Sequence, residues 1–81
     1  MNITVLFFAR YREALNLDSL LVEGQFTSVN QLRQDLLRGG EEWQVLAEPN
    51  LMCARNQALC KLDEPLTDGD EVAFFPPVTG G

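Results

Sequence analysis

Histidine is absent from this 81-residue chain, which removes the commonest general base and a common metal ligand. Cysteine is scarce. Cys53 and Cys60 are the only two, their spacing is not Cys-x-x-Cys, and two thiols without histidine make a poor zinc site. No metal is therefore expected. Both cysteines lie in apolar runs and read as small core residues, with catalytic or disulfide use the lesser alternative. Basic residues are also few, six against twelve acidic ones, for a net charge of −6. Such a surface repels phosphate backbones and argues against nucleic acid as a partner. It would attract a basic protein surface, or simply keep the chain in solution, and composition does not choose between these. No apolar stretch approaches the roughly 20 residues that span a bilayer. No basic leader with a small-residue cleavage site is present, so no membrane association and a reducing cytoplasm are the expectations. Internal repeats and low-complexity tracts are lacking as well.

What remains is a composition that is 46% hydrophobic, ordinary for a folded protein. At this length there is room for one small domain whose elements share one core. Residues 3–8 are rich in β-branched and aromatic types and read as a strand. Residues 10–16 read as a short helix with Tyr11, Ala14 and Leu15 on one face. A second strand over residues 18–23 closes at Gly24. Ser28 opens the clearest helix, with Gln31 as capping-box partner. Val29, Leu32 and Leu36 form its apolar stripe, Arg33 and Gln34 point away, and Gly39-Gly40 ends it in a left-handed cap. Residues 41–47 add a turn or two that buries Trp43 and Leu46. Residues 51–55 and 58–62 form a hairpin about Asn56-Gln57. Asp68-Gly69-Asp70 turns the chain into a last strand, residues 71–75, and the acidic turn over residues 68–71 reads as solvated, with contact to basic groups of a partner the alternative. The expected architecture is α+β, a mixed sheet packed on one main helix plus short helices.

Strand residues alternate between faces. Ile3, Val5 and Phe7 make the natural core set of the first strand, and Val72 with Phe74 that of the last. Phe8, Leu59 and Phe75 are then apolar residues left on the outer side. If their strands adjoin, they form one patch. Burial of that second face beneath a loop or helix is the alternative, and pattern alone leaves both open.

The chain closes Phe75-Pro76-Pro77-Val78-Thr79-Gly80-Gly81, and nothing follows the two glycines in the sequence. A terminal carboxylate on two residues without side chains can enter a narrow partner pocket, and the prolines hold the approach extended. An ordinary frayed end is the alternative. Residues 77–81 fully extended reach about 17 Å, at roughly 3.3–3.6 Å per residue.

These residues carry a resemblance. The stretch from Asp68-Gly69-Asp70-Glu71-Val72 to the end is similar to that of the sulfur-carrier subunits of molybdopterin synthase. So are Val5-Leu6-Phe7-Phe8-Ala9 with Arg12-Glu13, residues 29–33, and Asn56-Gln57. Residues 41–49 and the second strand match only loosely. The resemblance implies the ubiquitin-like β-grasp fold, with a domain over residues 1–75 and an extended flexible tail over 76–81. It implies that a ubiquitin-activating-type adenylyltransferase uses ATP to adenylate the Gly81 carboxylate, which becomes a thiocarboxylate. The tail, Pro76, Pro77, Val78, Thr79 and Gly80, would insert into the large catalytic subunit of a heterotetramer of two small and two large chains. There the sulfur would pass to cyclic pyranopterin monophosphate, forming the molybdopterin dithiolene. Phe8, Leu59 and Phe75 would form the partner interface. The carrier would be no enzyme on its own and would hold no cofactor tightly. With Gly81 last, no proteolytic processing is expected. The rival expectations are a sulfur carrier for thiamine thiazole synthesis, a ubiquitin-like protein modifier, and a plain binding domain with an inert tail.

Overall fold

The computed structural model describes residues 1–77. Five strands form one sheet: β1 Asn2–Phe7, β2 Ser19–Glu23, β3 Met52–Arg55, β4 Ala58–Cys60 and β5 Glu71–Phe75. Their spatial order is β2-β1-β5-β3-β4. The central pair, β1 and β5, runs parallel, and the other neighbours are antiparallel. This is the mixed sheet expected from the sequence. Helix α1, Ala9–Leu15, links β1 to β2, and helix α2, Val29–Leu37, follows β2. A 3-10 helix, Glu41–Ala47, precedes β3. No helix among the described residues is long and apolar enough to cross a membrane.

The core lies between α2 and the inner face of the sheet. Ile3, Val5 and Phe7 from β1, Val72 and Phe74 from β5, and Val29, Leu32 and Leu36 from α2 belong to one buried cluster. Each large apolar side chain removed from water contributes about 1.5–3 kcal/mol, so this one face supplies most of the drive to fold. Phe26, Leu51 and Leu66 join the cluster from loops, where period-based reading offers no signal for them.

Helix α2 begins as its sequence predicts, because the Ser28 hydroxyl accepts from the Gln31 N–H at 3.2 Å. The return bond differs by one residue: Gln31 Oε1 accepts from the Thr27 N–H, not from that of Ser28. Two more N–H groups at this end, on Val29 and Asn30, donate to the carbonyls of Glu64 and Leu62. The crossing segment thus supplies partners that an isolated helix would lack.

Several expectations need correction. The helix ends on Arg38 in a right-handed conformation, with i to i−3 bonds from Arg38 and Gly39. Past this helix end, positive φ is first reached at Gly40, at 131°, where a Cβ would be strained. Arg33 does not point away. It is half-buried and its Nε donates to the Leu46 carbonyl at 2.6 Å, tying α2 to the 3-10 helix. Trp43 is half-buried, packed edge-on against Phe7. In α1, Tyr11 and Leu15 are buried but Ala14 is exposed, because a seven-residue helix covers the core with one narrow stripe. β2 starts at Ser19, and β4 ends at Cys60, two residues short of the expected end.

Candidate functional site

Among the described residues no helix covers the outer face of the sheet, and register decides what that face displays. Leu6 pairs with Ala73, Ala73 with Ala54, and Ala54 with Leu59. Directly paired residues share a face, so these four form one row across β1, β5, β3 and β4. The two alanines in its middle leave a hollow of about 350 Å3, lined by that row together with Phe8, Phe75, Gln57 and Glu71. Phe8 and Phe75 meet edge to face, ring centres 6.4 Å apart. Phe8 is 46% exposed and Leu59 70% exposed, while Phe75 is half-buried by its neighbours. The structure therefore brings Phe8, Leu59 and Phe75 together around one apolar depression. Leu6, Ala54 and Ala73 complete it. Alternation marks Leu6 and Ala73 as outward, but only pairing reveals the floor, since a small residue matters here for the room it leaves.

Phe8 owes its position to a corner. It lies just beyond β1 in an extended conformation and still donates its N–H to the Phe74 carbonyl. The next residue, Ala9, has φ of 54°, a left-handed conformation unfavourable for any residue with a Cβ. That bend turns the chain into α1. The far side of α1 is anchored by Tyr11, which is buried and whose hydroxyl donates to Glu48 at 2.7 Å. Arg10 pairs with the same carboxylate at 2.6 Å. The Arg10 bond, then the Tyr11 bond, hold the Glu48 carboxyl below its usual range. Burial, then that hydrogen bond, push the Tyr11 phenol upward.

A second anchor fixes the hairpin. Asp70 is 6% exposed, although its acidic turn reads in sequence as a solvated loop. Its carboxylate accepts from Arg55 Nε at 2.7 Å, Asn56 Nδ2 at 3.0 Å, and the Thr67 N–H and hydroxyl at 2.8 and 3.2 Å. The Arg55 bond, foremost, holds the Asp70 carboxyl far below the usual carboxylate range. Asn56 binds in both directions, because its side-chain oxygen also accepts from the Glu71 N–H at 2.9 Å. The turn residues Asn56 and Gln57 have φ of 49° and 70°, the signature of a tight two-residue hairpin. The latch thus locks the β3–β4 hairpin onto the start of β5 and holds the register that sets Leu59 in line with Ala54 and Ala73.

The thiols occupy the opposite face. Cys53 is buried and Cys60 half-buried. Desolvation, above all, pushes the Cys53 thiol up to about 12 and raises that of Cys60 as well. Buried, protonated thiols are weak nucleophiles. Among the described residues no group of three or more histidine, cysteine or carboxylate side chains is placed to hold a metal ion.

At the end of β5, Pro76 and Pro77 leave the sheet half-buried, next to Phe75. Val78, Thr79, Gly80 and Gly81, which carry the tail expectation, lie outside the described residues. The described body can offer an apolar docking surface and lead a chain end away from it.

The sequence profile of the ThiS family matches residues 5–81. The chain is 50% identical to the molybdopterin synthase sulfur carrier subunit of Escherichia coli K12, over 98% of this chain and 99% of that one. It is 41% identical to the protein of the same description from Haemophilus influenzae, again over 98% and 99%. Among solved structures, it is similar to a chain in the complex of subunits 1 and 2 of molybdopterin-converting factor from Helicobacter pylori 26695. That match has a TM-score of 0.69 and 27% identity, and covers both chains fully.

Proposed function

This chain belongs to the ThiS family, among the molybdopterin synthase sulfur carrier subunits, and from that premise we propose how its parts divide the work. It has the ubiquitin-like β-grasp fold. Residues 1–75 serve as a scaffold and residues 76–81 as the working tail. The Gly81 carboxylate is the reactive group. A carboxylate is a poor electrophile, so an adenylyltransferase joins it to the α-phosphate of ATP and pyrophosphate departs. A sulfur nucleophile then displaces AMP and leaves a thiocarboxylate. That anion remains ionised near neutral pH and needs no general base on the carrier, in keeping with a chain that has no histidine. Inside a large subunit that supplies the catalytic residues, the tail delivers its sulfur to cyclic pyranopterin monophosphate.

One observation carries this reading. The strand that leads to the tail, β5, lies in the middle of the sheet, and its last residue, Phe75, forms part of the uncovered apolar hollow. A partner that covers the hollow meets the departing Pro76-Pro77 segment at the same time. The docking surface and the chain end are then read as one unit. Burial of Phe8, Leu59 and Phe75 there would contribute about 1.5–3 kcal/mol each before association costs.

The test is intact-mass measurement after incubation with ATP, the activating enzyme and a sulfur donor. One oxygen at Gly81 should be replaced by one sulfur. An unchanged mass in a reaction that loads a known carrier overturns the proposal. A chain with one alanine added after Gly81 should stay unloaded and should fail to support dithiolene formation.

A further inference from the structure

Cys53 and Cys60 face each other across β3 and β4 as directly paired residues. Their sulfurs are 3.7 Å apart, and the Cys53 thiol points at the Cys60 carbonyl, 3.4 Å away. Residues opposite one another on antiparallel strands have Cα atoms about 4.5–5.5 Å apart, inside the roughly 4.4–6.8 Å that a disulfide accepts. We infer that this pair is an oxidisable dithiol site, closed into a cross-strand disulfide by a small-molecule disulfide such as oxidised glutathione.

Position assigns the two thiols different parts. Cys60 is half-buried and reachable, whereas Cys53 is 3% exposed. Desolvation keeps the Cys60 thiol largely protonated and makes the step slow; the fraction that has given its proton to solvent attacks one sulfur of glutathione disulfide, whose S–S bond breaks, and one glutathione leaves as thiolate. Cys53 then attacks the Cys60 sulfur of the mixed disulfide and expels the second glutathione. The protein pair gives up two electrons and two protons, and glutathione disulfide takes them up as two thiols. The chain needs to move little, since the sulfurs already lie in contact on the same side of the hairpin.

The site sits where a bond changes most. β4 is a three-residue edge strand whose one sheet neighbour among the described residues is β3, a position that favours local opening. A disulfide fastens it. Leu59, adjacent to Cys60, faces the outer hollow, so the bond also restrains one wall of the docking surface. This last consequence rests on the functional reading above, but disulfide formation does not.

Incubation of the full chain with oxidised glutathione, followed by intact mass and thiol titration in denaturant, tests the site. The expected product is a monomer lighter by two hydrogens, with no glutathione retained and no free thiol. Hydrogen exchange at the β4 amides should slow about tenfold. Cys53→Ala should hold one glutathione on Cys60, and Cys60→Ala should stay unmodified while folded. A lasting glutathione adduct on the unaltered chain, a bond between two chains, or two surviving thiols overturns the inference. None of these readouts depends on sulfur loading at Gly81, so failure of either reading is visible by itself.

Discussion

Phe74 and Phe75 are neighbours in β5 with the same side chain, yet they belong to different environments. Phe74 is fully buried in the core on the inner face, beneath α2. Phe75 stands on the outer face beside Phe8, with no helix among the described residues above it. The contrast extends along the sheet. Val5, Phe7 and Val72 are lost to solvent, whereas Leu6, Phe8 and Leu59 remain wholly or partly accessible. One face is spent on stability, and the other keeps apolar surface that folding alone does not require. A chain that leaves such a hollow uncovered has a reason to do so outside its own fold.

The sharpest way to break this comparison is to truncate both phenylalanines in turn. Phe74→Ala should lower stability by about 3–5 kcal/mol, because it opens a cavity in a packed core. Phe75→Ala should lower it by about 1 kcal/mol or less. Denaturant titration of the two variants measures the difference. Equal losses would mean that the two faces are not distinct.

Asp70 tests whether the latch holds the outer face in shape. Asp70→Ala removes a buried acceptor with four donors and should cost about 2–3 kcal/mol. The sign with pH follows from its lowered pKa. The ordinary carboxylate titrates near about 3.9, and in the folded chain Asp70 titrates below that value. Its contribution is therefore complete at neutral pH, begins to fall as pH drops below about 4, and is lost as pH passes through the folded value. The stability gap between the unaltered chain and Asp70→Asn should narrow over that acid range. A gap that stays constant with pH would show that the charge is not what the latch uses.

The two anchors also mark the limit of what the sequence makes legible. Strand alternation found the inner set Ile3, Val5, Phe7, Val72 and Phe74, because period-2 patterning registers directly in residue type. It also put Phe8, Leu59 and Phe75 outside. It could not find Ala54 at the floor of the hollow, since an alanine carries no pattern and its role depends on pairing with both Ala73 and Leu59. It misread Asp70 as solvated because burial of a carboxylate depends on Arg55, fifteen residues earlier in the chain. It misread Arg33 for the same reason, because the Leu46 carbonyl that draws it inward lies on another element. Local periodicity reports faces, and long-range polar partners stay invisible to it.

Partner binding gives the reverse order of effects. Phe75→Ala and Leu59→Ala should each weaken association with a large subunit by roughly tenfold or more, as expected when an apolar anchor in a buried patch is lost. Phe74→Ala should do so only by unfolding the chain. Calorimetry or surface binding at a temperature where each variant is folded separates the cases. An unaltered affinity for Phe75→Ala would leave the outer hollow without its assigned role.

The smallest effect concerns the corner between the faces. Ala9 holds a left-handed φ of 54° directly after Phe8, the residue that this bend turns outward. Glycine escapes the Cβ penalty of about 1–2 kcal/mol that this conformation carries, so Ala9→Gly should raise stability by about 0.5–1 kcal/mol after the extra freedom that glycine gives the unfolded chain is subtracted. For a domain of this size, such a gain raises the thermal midpoint by roughly 2–8 °C. The core should be indifferent to the change, because Phe7 is already fixed by β5 and by Trp43. Phe8 should not be, because its ring is held by little besides Phe75 and the stiffness of the bend. A higher midpoint with weaker partner binding would locate the strain on the outer face, where it positions Phe8 at the expense of stability. A lower midpoint would mean that the bend at Ala9 is relaxed and that Phe8 is oriented by its neighbours alone.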